Sequence, residues 1–172
     1  YSDWWFGQLE GNDRYNEIII GRFSAESPGD VITQVTKVIN YERDIDTDAS
    51  WINVAQGVAK KENQYGHNGE DDYQHMDKIR DDLLAYHYET VHRDYQNVSG
   101  VTSSAAIISE HINAGVSIIN YCNHGSPTGW GVFNYSNSHV NALTNDNMLP
   151  FVISVACNNG EYTYYQPCFA ET

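Results

Sequence analysis

The chain has 172 residues, of which 41% are hydrophobic and 13% aromatic. This composition provides enough apolar material for one compact domain with a buried core and excludes a disordered chain. The formal net charge of −14 disfavours nucleic acids and anionic membrane surfaces as partners, because an acidic surface repels phosphate groups. No stretch approaches the roughly 20 apolar residues of a membrane helix, so we expect no membrane insertion.

Short β-branched runs alternate with longer stretches of helical period, which predicts an α/β fold. Residues 16–23 predict a first buried strand, and Ser27, Pro28 and Asp30 have the arrangement of a helix start. The polar loop over 60–71 is long for a connection between a strand and a helix, which is typical of functional loops. Near-continuously apolar strands favour a mostly parallel sheet covered by helices on both faces. The remaining strands are predicted at 52–59, 89–95, 116–122 and 151–156, and the remaining helices around 76–84, 103–114 and 136–143.

Three residues suited to chemistry follow three of the predicted strands. Glu62 follows the strand that ends near residue 59, His124 the strand that ends near residue 122, and Cys157 the strand that ends at residue 156. Ligands of open α/β sheets bind beyond the carboxyl ends of the strands. We therefore expect these three side chains to contribute to one site.

A cysteine beside a histidine is a common source of a thiolate nucleophile, because the imidazole takes the thiol proton and stabilises the resulting anion. Cys157 would attack a carbonyl carbon, with His124 as its base and Glu62 orienting the imidazole. A glycine allows close approach to a substrate, so the amides of Gly125 and Cys157 are candidates for an oxyanion hole. A zinc site is the alternative, since Cys122, His124 and Cys157 are acceptable ligands and Glu62 is a candidate for the fourth.

Longer motifs surround these residues and keep their order along the chain. They lie at 7–17, 20–24, 68–75, 123–126, 143–145, 155–158 and 167–169. In these motifs the chain resembles the gingipains, peptidase family C25, which are secreted bacterial cysteine endopeptidases of the caspase-like group, and it is most similar to the arginine-specific members. The resemblance implies a three-layer α/β/α caspase-like sandwich with a mostly parallel sheet.

The resemblance also implies roles for individual residues. Cys157 would be the nucleophile, His124 its general base and Glu62 the third, His-orienting member, and the amides of Gly125 and Cys157 would form the oxyanion hole. Asp72 would be the acid of the S1 pocket. A carboxylate suits a guanidinium because its two oxygens accept hydrogen bonds from two N–H groups of the guanidinium. The other interpretation of Asp72 is an N-cap acid for the helix that begins there. The remaining S1 residues implied are Val155, Cys122 and Gly125.

Structural calcium is a further implication of the resemblance, and no organic cofactor is expected. Calcium prefers about six to eight hard oxygen ligands, which an irregular acidic loop can supply from carboxylates and backbone carbonyls. The implied ligands are Glu10, Asp13, Tyr15 and Glu17 at a first site, and Glu70 and His75 at a second.

We therefore predict a cysteine endopeptidase that cleaves protein or peptide substrates after a basic residue, arginine in preference to lysine. Two alternatives stay open: a sortase-like transpeptidase of a bacterial secretion system, and a non-catalytic, calcium-stabilised binding module that keeps the fold. We expect residues 1–51 to end an N-terminal subdomain and 52–172 to form the core of the catalytic subdomain. The remainder of the catalytic domain would lie outside this chain, and the resemblance implies a secreted or cell-surface protein of a bacterium.

Overall fold

The computed structural model describes residues 3–43, 45, 49–63, 66 and 68–172. Contacts divide the chain into two compact units, which fall within residues 1–39 and 40–172. The predicted subdomain boundary between residues 51 and 52 stays a prediction. In the part of the chain that is described, no helix is both long and apolar enough to cross a membrane.

The first helix begins at the residues that the sequence indicated. Helix α1 spans Pro28–Arg43, and the N–H of Ser27 donates to Oδ2 of Asp30 at 2.8 Å, while the N–H of Asp30 donates to Oγ of Ser27 at 3.3 Å. This reciprocal pair satisfies backbone donors that a helix start otherwise leaves without acceptors. The apolar stripe of α1 is exposed and consists of Val31, Ile32, Val35, Val38 and Ile39.

The predicted strand over residues 16–23 is wrong. These residues form no strand, and Ile18, Ile19 and Phe23 are exposed, Ile19 completely. An extended run becomes a strand only where a neighbour takes its backbone hydrogen bonds. None of the strands in the described ranges pairs with this segment, so its apolar pattern alone does not produce one.

The second unit is built on a four-stranded sheet in which all neighbours are parallel. The strands are β1 (Val54–Lys60), β2 (Thr90–Gln96), β3 (Ile118–Cys122), the short hairpin strands β4 (Gly125–Ser126) and β5 (Gly129–Trp130), and β6 (Phe151–Val155). The sheet order is β2-β1-β3-β6, and β4 pairs only with β5. The helices of this unit are α2 (Asp72–Ala85), α3 (Ala105–Ala114) and α4 (Asn137–Val140).

Helices cover both faces of this sheet. On one face, Met76 of α2 packs against the buried Ala59 and Tyr95. On the other, Ile108 of α3 belongs to the cluster that contains Val58. Successive residues of β1 thus point to opposite cores, as the alternation of side chains along a strand requires. The predicted α/β/α fold with a mostly parallel sheet is confirmed.

Strand β6 forms one edge of the sheet and is exposed along its whole length. Proteins normally pair, cover or charge an edge strand, because its free backbone groups are a template for another strand. The side chains of β6 are instead apolar at four of its five positions, which are Phe151, Val152, Ile153 and Val155.

Candidate active site

The register of β3 and β6 places His124 and Cys157 equally far beyond the ends of these two strands. Cys122 of β3 is the partner of Val155 in β6, and the N–H of Asn123 extends the ladder by donating to the carbonyl of Val155 at 3.3 Å. His124 and Cys157 each lie two residues beyond this register pair. They therefore leave the carboxyl ends of neighbouring parallel strands together, where ligands of such sheets bind.

His124 contacts Glu62, which follows the strand on the other side of β3. Nε2 of His124 lies 3.1 Å from Oε2 of Glu62, and Lys60 forms an ion pair with the other carboxylate oxygen. The hydrogen bond from Lys60 lowers the pKa of Glu62, and the charges of Lys60 and His124 act in the same direction. Glu62 is thus ionised at neutral pH and is placed to hold the imidazole ring of His124 in one orientation.

Tyr121 fixes the backbone of His124 through a hydrogen bond. The Tyr121 hydroxyl donates to the carbonyl of His124, which also accepts a bond from the N–H of Gly131 at 2.8 Å. Tyr121 is buried, and its ring stacks on Trp130 with centroids 4.4 Å apart. Burial raises the pKa of the Tyr121 hydroxyl, so it stays protonated and acts as a donor.

Gly125 packs directly against the backbone of Cys157. A Cβ atom added to Gly125 would lie 2.6 Å from the carbonyl oxygen of Cys157, 2.8 Å from Cβ of Ala156 and 2.9 Å from Nδ2 of Asn159. No side chain fits at these distances. The close approach places the amides predicted for the oxyanion hole on adjacent pieces of backbone.

Asn159 holds the loop after Cys157 against the β4–β5 hairpin, a role that no pattern in the sequence indicates. The Asn159 side chain is buried, donates to the carbonyls of Ser126 (2.7 Å) and Gly129 (3.0 Å), and accepts from the Ser154 hydroxyl (2.8 Å). Nε1 of Trp130 in turn donates to Ser154 Oγ at 3.0 Å. A buried asparagine with every polar atom engaged fixes both segments relative to each other.

Asp72 lies at the start of α2 and faces the end of β3. Its Oδ2 accepts from Nδ2 of Asn123 at 2.8 Å. The N-cap of α2 is Asp71, whose N–H donates to the side chain of Gln74 at 2.9 Å. Asp72 is therefore not the N-cap of α2, and that alternative interpretation is wrong.

Cys122 lies half-buried among apolar side chains. It packs against the cluster of Ala59, Met76 and Tyr95, and burial, followed by the charge of Asp72, raises the pKa of its thiol to about 11. Throughout the described ranges, no three His, Cys, Asp or Glu residues are arranged to hold a metal ion, so the zinc interpretation is not supported.

The acidic loop of the first unit folds around two carboxylates. Oδ1 of Asp13 accepts from the N–H of Tyr15 at 2.9 Å, and Oε2 of Glu17 accepts from the N–H groups of Leu9 (2.7 Å) and Glu10 (3.3 Å). The bonds from Leu9 and Glu10 lower the pKa of Glu17. Both carboxylates are thus held within one short loop with one oxygen of each bonded to backbone.

Glu70 and His75 form a different kind of contact. Nδ1 of His75 lies 3.0 Å from Oε1 of Glu70, and Lys78 forms an ion pair with Oε2. Both carboxylate oxygens are engaged, and a lysine already supplies the positive charge. These contacts do not fit a calcium ligand set.

The structure is an α/β/α protein whose parallel sheet carries a cysteine, a histidine and a carboxylate beyond neighbouring strand ends, the residue types that cysteine peptidases use. The model of Peptidase family C25 matches residues 1–172, so the chain belongs to this family.

Similar proteins agree with this assignment. Gingipain R2 of Porphyromonas gingivalis is 44% identical over 171 residues, and Lys-gingipain HG66 of the same organism is 29% identical over 174 residues. The crystal structure of the Arg specific cysteine proteinase gingipain R superposes with a TM-score of 0.90 at 43% identity. The chain is thus more similar to the arginine-specific members than to the lysine-specific one, as the sequence motifs predicted.

These matches cover nearly all of this chain but only part of each relative. The match with gingipain R2 includes 99% of this chain and 23% of the relative, and that with Lys-gingipain HG66 includes 99% and 10%. The match with the gingipain R crystal structure includes 99% of this chain and 39% of that one. The chain therefore spans about a quarter of the length of gingipain R2.

Proposed function

We propose that this chain carries the catalytic site of a cysteine endopeptidase that cleaves after a basic residue, arginine in preference to lysine. The observation that carries this proposal is the shared register of His124 and Cys157 beyond one strand pair, with Glu62 3.1 Å from the imidazole. Membership of Peptidase family C25 supports the reaction class.

The geometry supports a thioester mechanism. Because Nε2 of His124 contacts Glu62, the other ring nitrogen, Nδ1, is the one that takes the proton of the Cys157 thiol. The thiolate attacks the scissile carbonyl carbon, and the amides of Gly125 and Cys157 stabilise the oxyanion. The imidazolium then protonates the leaving amine, and water hydrolyses the thioester through a second oxyanion.

Asp72 is the proposed acid of the S1 pocket. It lies beside the strand end that carries His124, and Nδ2 of Asn123 donates to its carboxylate at 2.8 Å. A carboxylate held in one orientation binds an arginine guanidinium most tightly, because two N–H groups of the guanidinium then meet both carboxylate oxygens without any rearrangement. Val155, Cys122 and Gly125 lie at the same strand ends and are the other proposed S1 residues.

The alternatives gain no specific support. A binding module would not need Gly125 pressed against Cys157 or Glu62 placed on His124. A sortase-like transpeptidase would use the same nucleophile, and only the product, a free acid or a new amide, separates it from a hydrolase.

The proposed function is tested by labelling Cys157 at neutral pH with a peptidyl-arginyl chloromethyl ketone. We expect a single adduct on the Cys157 peptide of the full-length protein, located by mass spectrometry, and a slower reaction with the lysyl reagent. The Cys157→Ala variant is the control and should not be labelled. A full-length protein that forms no Cys157 adduct would contradict the endopeptidase assignment.

We further propose that calcium binds the acidic loop of the first unit. Asp13 and Glu17 contribute carboxylates and Glu10 and Tyr15 backbone carbonyls, a set of hard oxygens that suits this cation. Support comes from the way that the loop already gathers both carboxylates. The cation would screen their charges and stiffen the loop, and it takes no part in the chemistry. We propose no calcium at Glu70 and His75, where the ion pair with Lys78 replaces it.

Calcium is expected to raise the melting temperature of the EGTA-treated protein by about 5 °C at saturation, because a ligand that binds only the folded state stabilises it. The measurement is differential scanning fluorimetry across a calcium titration. Glu17→Gln should abolish the shift, whereas Glu26→Gln, which removes the same charge outside the loop, should keep it. Equal melting temperatures with and without calcium would exclude the site.

We propose that the β6 edge pairs with a further part of the catalytic domain and that the protein acts outside the bacterial cell or on its surface. The first point is supported by the exposed apolar side chains of β6 and by relatives much longer than this chain. The second is supported by the similarity to gingipains of Porphyromonas gingivalis.

A further inference from the structure

The side chains of Trp130, Ser154 and Asn159 form a chain of hydrogen bonds in which each donor has a fixed direction. The indole nitrogen of Trp130 carries an N–H and cannot accept, so it donates to Ser154 Oγ, 3.0 Å away. The Ser154 hydroxyl therefore directs its own proton to its other neighbour, Oδ1 of Asn159, at 2.8 Å. This contact assigns the oxygen of the asparagine amide to Ser154 and directs both amide N–H groups away from it.

These two N–H groups meet two backbone carbonyls of the β4–β5 hairpin, which follows His124. Nδ2 of Asn159 donates to the carbonyl of Ser126 at 2.7 Å and to the carbonyl of Gly129 at 3.0 Å. Asn159 is only 6% exposed, so water does not compete effectively for these bonds. One buried amide thus joins the loop that carries the nucleophile to the hairpin beside the imidazole.

The backbone of Asn159 is anchored by the last residues of the chain. Its carbonyl accepts from the N–H of Ala170 at 2.9 Å, and the N–H of the preceding Phe169 donates to the carbonyl of Pro127 at 2.7 Å. The same short segment therefore contacts both the loop after Cys157 and the turn of the hairpin. The position of the Asn159 amide is thus set by the fold and does not depend on a substrate.

The amide of Asn159 lies directly against the backbone proposed for the oxyanion hole. A Cβ atom added to Gly125 would lie 2.9 Å from Nδ2 of Asn159, and Asn159 itself is two residues beyond Cys157. Two N–H groups stabilise an oxyanion best when they already converge on its position and need no rearrangement. Because the N–H groups of Gly125 and Cys157 belong to different loops, their separation depends on the contacts that join those loops.

We propose that Asn159 is a positioning residue of the oxyanion hole: its amide holds the N–H groups of Gly125 and Cys157 at the separation that the oxyanion requires. Ser154 and Trp130 keep this amide in the orientation that the role needs. The inference rests on the proposed endopeptidase function. Its consequence is that Asn159 acts on the steps that form an oxyanion and not on the reactivity of the thiol.

Two measurements on the full-length protein separate these effects. Hydrolysis of an arginyl substrate passes through an oxyanion and is followed as steady-state kcat and KM. Alkylation of Cys157 by iodoacetamide displaces iodide from a saturated carbon, forms no oxyanion, and is followed by mass spectrometry. The variants are Asn159→Ala and Ser154→Ala. The matched control is Asn145→Ala, a buried asparagine before β6 whose Nδ2 donates to the carbonyl of Met148 at 2.8 Å.

Asn159→Ala is expected to lower kcat about 100-fold, because a well-placed oxyanion donor contributes about that much, with KM and the alkylation rate within about three-fold of the parent. Ser154→Ala should lower kcat about 10-fold, since it removes one bond that orients the amide and keeps the amide itself. Asn145→Ala also loses a buried hydrogen bond, so its melting temperature should fall while its kcat stays near the parental value.

Ser154 lies on the exposed strand β6, so Ser154→Ala decides the question if Asn159→Ala does not fold. Parental kcat in the folded variant overturns the inference. It is equally overturned if kcat and the alkylation rate fall together, because the amide then supports the thiol, or if Asn145→Ala loses as much kcat. In these cases the parent is still labelled and the endopeptidase assignment stands. A parent with no Cys157 adduct removes the proposed function and this inference together.

Discussion

Replacing Gly125 with alanine is expected to lower kcat on an arginyl substrate by about 1,000-fold, with a much smaller change in KM. The added Cβ would lie 2.6 Å from the carbonyl oxygen of Cys157 and 2.8 Å from Cβ of Ala156. Backbone and a neighbouring Cβ cannot swing aside as the end of a long side chain can. Either the His124 segment or the Cys157 loop must move, and the two amides that stabilise the oxyanion then separate.

The matched control is Gly160→Ala in the same loop. A Cβ at Gly160 meets nothing closer than 3.6 Å, the distance to the ring of Tyr162, so this variant should retain near-parental kcat. Iodoacetamide labelling of Gly125→Ala tests whether Cys157 is still reactive. Near-parental turnover by Gly125→Ala would show that the oxyanion hole is formed by other groups.

Replacing Asp72 with asparagine is expected to lower kcat/KM for arginyl substrates by about 100- to 1,000-fold, the usual cost of removing one partner of a desolvated charge pair. Asparagine keeps the shape and can still pair with Asn123, so the loss reports the charge. The kcat/KM values for arginyl and lysyl substrates should both fall, and iodoacetamide should still label Cys157. The measurement is steady-state hydrolysis of matched arginyl and lysyl substrates.

Asp71→Asn is the control for this variant, because it removes the same charge from the neighbouring residue and asparagine is an equally good N-cap. It should hydrolyse both substrates at near-parental rates. If Asp72→Asn cleaves the arginyl substrate as fast as the parent does, the acid that reads the basic side chain is elsewhere in the protein.

The strand ends were predictable from the sequence because the strands of a parallel sheet commonly appear as continuous apolar runs. Residues 116–122 and 151–156 were found in this way, and the site residues that follow them needed only the rule about carboxyl ends. The contact of Glu62 with His124 agrees with that expectation. Their catalytic roles stay predictions that the labelling experiments decide.

Other features had no signal in the sequence. The segment at 16–23 contains three consecutive isoleucines, a β-branched run that is typical of strands, but within the described ranges no strand pairs with it. Asn123 and Asn159 are polar residues of loops, and nothing in their neighbours shows that their amides face inward. Burial of a polar side chain depends on contacts that are distant in sequence, which local patterns do not contain.

The register pair of Cys122 and Val155 has a consequence for how this site tolerates changes in chain length. One residue added or removed between the pair and either His124 or Cys157 would turn that side chain to the opposite face of the sheet. The last part of the connection between the two strands, from the end of α4 to the start of β6, is under no such constraint, since it carries no residue of the proposed site. Its exposed turn at Asp146 and Asn147 is where insertion tags, reporter domains or the new termini of a circular permutant can be placed without touching the alignment of thiol and imidazole.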